Sequence, residues 1–228
     1  MSAARHGPSV TSLLMSPGVG RLQVQRAYDL VAADYARLLP GLDAETPLDV
    51  AMIDDFARRC AAAELSPVVD AGCGTGRISA HLVARGLEVT GIDLSSGMID
   101  VARRNYPSLH FETGALESLP LPDSTAGGLL AWYSLIHAAP QQLAPIIAEF
   151  ARVLRPGAWL LIAFQAGDGR GVDITSAYGH TVAMTNYRHD PAVVTRLLED
   201  HGIRVHARMS RASEGTEKTA QAIVLAQR

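Results

Sequence analysis

The chain has 228 residues, 48% of them hydrophobic and 19% charged, enough for one α/β domain whose core forms without disulfide or metal staples. A net charge of -3, with no basic run longer than Arg58-Arg59 or Arg103-Arg104, argues against a nucleic-acid partner. Cys60 and Cys73 give neither a disulfide framework nor a zinc cluster, and no stretch approaches about eighteen unbroken apolar residues, so a soluble, unprocessed, cytoplasmic protein is expected.

Residues 1–19 mix Ser, Gly, Pro and Ala without periodicity and read as a flexible arm ahead of a single domain over 20–228. From Arg21 to Leu39, apolar residues three or four apart (Ala27, Leu30, Val31, Tyr35, Leu38) predict an amphipathic helix stopped by Pro40-Gly41. Thr46-Pro47 introduces a second helix over Leu48–Ala63, so residues 20–63 form a helical cap before the sheet.

Short apolar runs then alternate with helical stretches. "PVVDAG" is a strand, Gly76–Arg85 a helix, "LEVTGID" a strand, Ser96–Asn105 a helix and "LHFETG" a strand. "AGGLLAWYSL" as strand, Pro140–Leu154 as helix and "AWLLIAFQ" as strand continue the pattern. Alternation of this kind predicts a parallel sheet with right-handed crossovers, a Rossmann-like α/β architecture with helices on both faces. Residues 166–189 lack a clear period and read as an insertion over the sheet end. A helix over Pro191–His201 and the strands "IRVHARMS" and "TAQAIVLA" close the chain, the last two as an antiparallel hairpin because their loop is too short for a crossover.

In such a sheet, ligands bind beyond the carboxyl ends of the strands, where a glycine turn lets the backbone approach them. The first β-α turn, "VVDAGCGTGR", spaces its glycines G-x-G-x-G and carries Arg77 where a dinucleotide binder has its third glycine. Asp93, 23 residues beyond Asp70, ends the next strand and is placed to accept from both hydroxyls of a ribose. Asp70 just before the turn suits a cation better than a diphosphate. The residues therefore turn toward S-adenosylmethionine, which has an ammonium, a sulfonium and a ribose but no phosphate.

These segments resemble the class I S-adenosylmethionine-dependent methyltransferases of the small-molecule type. "VVDAGCGTGR" is similar to their first motif, "VTGIDLSSGMIDVARR" to the second, "TGALESLPLPD" to the third and "LRPGAWLLIAFQ" to the strand after the fourth. The resemblance implies a seven-stranded, mostly parallel sheet, with Gly72, Cys73, Gly74, Gly76 and Arg77 lining the methionine and ribose and Asp70 near the amino-acid end. It implies Asp93 on the ribose diol and Leu94 and Met98 on the adenine. Ala115 stands where many relatives carry Asp, which leaves the backbone of Ala115 and Leu116 to read the adenine edge.

Methyl transfer from a sulfonium needs an aligned acceptor, exclusion of water and, for an acceptor that loses a proton, a base. "AWYSLIH" brings Trp132, Tyr133, Ser134 and His137 to the sheet's carboxyl edge, where aromatic faces favour a cation. His137, with a pKa ordinarily near neutrality, is the candidate base, and Tyr133 its catalytic neighbour. Tyr28 and Tyr35, seven apart on the first helix, could close the pocket, and Tyr178, His180, Tyr187 and Arg188 are the candidate substrate contacts because inserted loops carry specificity. No metal-holding carboxylate cluster and no motif for base methylation follows the fourth strand. The expected activity is metal-independent transfer of a methyl group to O, N or C of a small organic molecule, releasing S-adenosylhomocysteine, in a protein that could form a homodimer. Two alternatives stand beside it: a dinucleotide-type oxidoreductase, and a cofactor-binding module without catalysis.

Overall fold

The structure, a computed structural model, describes residues 17–228. The predicted arm lies outside these residues except for its last three, which open α1 (Pro17–Leu38). α2 (Pro47–Ala62) starts with a capping box in which Thr46 Oγ1 accepts from the amide of Asp49 (3.2 Å) and the Asp49 carboxylate accepts from that of Thr46 (3.1 Å). Asp49 also meets Arg211 at 2.7 Å, and Arg211 continues to Glu217, so a buried ion pair ties α2 to the far edge of the sheet.

β1 (Val68–Ala71), α3 (Arg77–Ala84), β2 (Val89–Asp93), α4 (Ser96–Asn105), β3 (His110–Thr113), β4 (Ala126–Trp132), α5 (Leu143–Val153) and β5 (Leu154–Gln165) follow as expected. Next come β6 (Gly171–Ala177), β7 (His180–Tyr187), α6 (Pro191–Asp200), β8 (Arg204–Arg211) and β9 (Gln221–Gln227). The main sheet has seven strands in the order β3-β2-β1-β4-β5-β9-β8, with β9 antiparallel to both neighbours and the other pairs parallel. Strand order reverses between β1 and β4, which places the ligand crevice at their carboxyl ends. Both sheet faces are covered, one around Phe150, Ile147 and Leu198, the other around Phe56, Ile53 and Leu82. Removing one such ring, as in Phe150→Ala, costs about 3–5 kcal/mol.

Three expectations need correction. Residues 166–189 are not an irregular insertion: β6 and β7 pair antiparallel as a separate two-stranded sheet, with Val182 and Met184 buried against α1 and α4. The alternation of Val182 and Met184 with the exposed Thr181 and Ala183 was the strand signal, diluted by the glycines around it. The fourth strand stops at Trp132, because Tyr133 takes φ +56° and Leu135–His137 form a 3-10 turn. The helix expected from Pro140 likewise begins as a 3-10 turn and becomes α-helical at Leu143. Among the described residues, no helix is long and apolar enough to cross a membrane.

Candidate active site

From Ala71 the chain turns through three glycines into α3, and each has a local reason to be there. Gly72 holds φ +85°, and a Cβ on it would lie 2.3 Å from Cβ of Ser134, so only glycine lets the ends of β1 and β4 approach this closely. Gly76, at φ +82° before α3, backs onto the ring of Phe111, which a Cβ would meet at 2.7 Å. Four amides of the turn are engaged: Gly72 and Cys73 donate to the carbonyl of Ile92, Gly76 to that of Cys73, and Gly74 to Asp93 Oδ2 at 2.9 Å.

Asp93 is fixed from two sides, its Oδ1 accepting from the amide of Ser95 at 2.8 Å and its Oδ2 from Gly74. Each oxygen keeps a lone pair for a ligand hydroxyl. Burial raises its pKa. Asp70 is buried more deeply, accepting from Ser79 Oγ at 2.6 Å, and burial outweighs that bond to push its pKa up to about 6. A buried carboxylate of this kind favours a cation beside it.

A cavity of about 640 Å³ opens over this floor, roofed by α1 and the β6–β7 hairpin. Tyr28, Tyr35, Gly72, Gly74, Arg77, Asp93, Leu94, Met98, Ala115, Leu116, Trp132, Tyr133, His137, Tyr178 and Tyr187 line it. Asp70 and Cys73 line a smaller void of about 30 Å³ that shares Gly72, Arg77 and Trp132 with the cavity. Gly76, His180 and Arg188 line neither. Gly76 is turned to Phe111, His180 bonds Asp34 at 2.8 Å, and the Arg188 stem lies against Gly167. His180 thus fastens the hairpin to α1 instead of facing the cavity.

Around the β4 end the pairing is specific. Arg77 donates to Glu45 (2.5 Å) and to the Gly41 carbonyl (3.1 Å), and Trp132 Nε1 donates to the other oxygen of Glu45 at 3.0 Å. Tyr133 packs edge-on against Trp132, its hydroxyl buried without a partner and its pKa raised by burial and by the charge of Asp49. Ser134 Oγ is also buried without a partner and lines the cavity. His137 Nε2 and the Tyr28 hydroxyl share a hydrogen bond of 2.8 Å, and burial pushes the imidazole down to about 4, so it is uncharged at neutral pH. Tyr28 stacks edge-on to Tyr35, and Tyr35 to Tyr178, with ring centroids 6.5 and 5.0 Å apart.

Sequence reading missed Glu45 and Asp29. Glu45 sits in the α1–α2 connection, 32 residues from Arg77, and its only trace was an arginine without an obvious partner. Asp29 accepts from Ser95 Oγ (2.6 Å) and the Gly97 amide (2.9 Å), which docks α1 on the start of α4.

Sheet order, glycine turn and strand-end carboxylate together define a Rossmann-like fold of the class I methyltransferase type. Residues 68–157 match the family described as a methyltransferase domain. Malonyl-[acyl-carrier protein] O-methyltransferases are similar to it, at 39% identity over 99 residues for that of Serratia marcescens (43% of this chain, 38% of the relative). For that of Enterobacter lignolyticus the identity is 34% over 138 residues (60% and 54%). The chain therefore spans about half or less of the length of these relatives. Among solved structures, magnesium protoporphyrin IX methyltransferase from Synechocystis with bound S-adenosylmethionine superposes with a TM-score of 0.68 at 19% identity, covering 96% of this chain and all of that one. The 1,6-didemethyltoxoflavin-N1-methyltransferase of Burkholderia thailandensis, with S-adenosylhomocysteine and its substrate, gives 0.68 at 18% identity, covering 96% and 92%.

Proposed function

We propose that this protein transfers a methyl group from S-adenosylmethionine to a small organic acceptor, as a single cytoplasmic domain without a nucleic-acid partner. The observation that carries the reading is Asp93 at the end of β2, fixed by the amides of Ser95 and Gly74 and with lone pairs to spare for the two hydroxyls of a ribose. The relatives and structural neighbours support the same chemistry, and their named acceptors differ from one another.

Asp93 takes the ribose hydroxyls, Leu94 and Met98 flank the adenine, and the backbone of Ala115 and Leu116 meets its edge. Asp70 compensates the ammonium, and the unpartnered Ser134 Oγ supplies a hydrogen bond near the amino-acid end. When bound, the cofactor supplies a methyl group on a sulfonium. The protein's own work is to exclude water under α1 and the hairpin, align the acceptor and take its proton. His137, uncharged because burial lowers its pKa, accepts through Tyr28: the acceptor's proton passes to the tyrosine oxygen as the tyrosine proton moves to Nε2. A base this weak is sufficient for an oxygen or nitrogen that turns strongly acidic as it is alkylated.

A turnover screen against a metabolite library tests the reading. His137→Ala should lower turnover by about a hundredfold while S-adenosylhomocysteine still binds, and unchanged turnover would remove His137 as base.

A further inference from the structure

The acceptor half of the cavity is built for a particular charge. Among the described residues, two cationic side chains line the cavity, and both are already neutralised: Arg77 by Glu45, with the two side chains only 10% and 7% exposed, and Arg21 by Glu117 at 2.8 Å on the rim. His137 adds no charge at neutral pH. On the hairpin wall stands a carboxylate, Asp173, whose nearest partner is the neutral Thr185 Oγ1 at 2.9 Å. The wall also carries the uncharged rings of Tyr28, Tyr178 and Tyr187 and the uncharged amides of Gln23, Gln25, Gln141 and Gln142. An anionic acceptor would lose its hydration and gain no free cation, while meeting Asp173. A neutral or cationic ring would meet aromatic faces and a carboxylate.

We propose that the acceptor is a planar aromatic molecule that is uncharged or cationic, and that the site rejects carboxylates and phosphates. This rests on the methyltransferase reading, since it assigns the other half of the cavity to the cofactor.

Calorimetric titration of the protein loaded with S-adenosylhomocysteine tests it, using 2-naphthol, 2-naphthylmethylammonium and 2-naphthoate as probes. The neutral and cationic probes should bind at least about tenfold more tightly than the anion. Equal or tighter binding of naphthoate overturns the charge assignment, and failure of all three to bind overturns the aromatic one. Asp173→Lys, a change at an exposed position, should tighten naphthoate by about tenfold, and an unchanged affinity would show that the hairpin wall does not face the acceptor. If S-adenosylhomocysteine itself fails to bind, the methyltransferase reading and this inference fall together, whereas its binding with naphthoate preferred sinks the inference alone.

Discussion

The floor and the roof of the cavity are made in different ways. The floor, where β1, β2 and β4 end, is fastened through backbone amides: Gly72 and Cys73 donate to the carbonyl of Ile92, Gly74 and Ser95 hold the Asp93 carboxylate, and Gly72 fits against Ser134 with no room for a methyl group. The roof is side chain fastened to side chain across long stretches of chain: Tyr28 to His137, His180 to Asp34, Tyr35 to Tyr178. A floor of this kind is rigid and holds one ligand shape, while a roof held by side-chain pairs and one thin apolar face can open and can be re-lined.

The sharpest way to break the floor is Gly72→Ala. It puts a Cβ into a contact of 2.3 Å at a positive φ, and should cost about 3–5 kcal/mol of stability, read by chemical denaturation, along with cofactor binding. Asp93→Ala comes next. Losing the paired ribose bonds should weaken S-adenosylhomocysteine by about a hundredfold in a calorimetric titration, and an unchanged affinity would show that the diol is held elsewhere.

A pH series sharpens the same comparison. Burial raises Asp70 to about 6, and a ligand ammonium prefers the ionised form, so affinity should be full above that value and fall by about tenfold between pH 7 and pH 5. Asp70→Asn should bind weakly at every pH and lose this dependence. The smallest effect is expected on the roof. His180→Ala removes the bond to Asp34, which should leave the melting temperature nearly unchanged and raise the KM for the acceptor. A large melting shift with no change in KM would make the hairpin a structural part instead of a lid.

The same division explains what the sequence disclosed. The strand–helix alternation, the C-terminal antiparallel pair and the floor residues follow from local pattern, because a glycine turn needs its glycines and a strand end needs its carboxylate within a few residues. Glu45, Asp29 and the role of His180 follow from contacts between residues 32 to 146 positions apart, and no local spacing encodes these. The β6–β7 hairpin lies between: Val182 and Met184 alternate as a strand should, but a two-stranded sheet buries one thin face against α1, and its glycines and polar residues mask the period. Arg77 is the instructive case. Its position against the dinucleotide pattern was legible, while its partner Glu45, which removes it from any phosphate, was not.

The central claim is that the crevice holds an adenosyl ligand without phosphate. Calorimetric titration with S-adenosylhomocysteine and, separately, with NAD tests it most directly. The account predicts saturable binding of S-adenosylhomocysteine and none of NAD; binding of NAD with none of S-adenosylhomocysteine would contradict it.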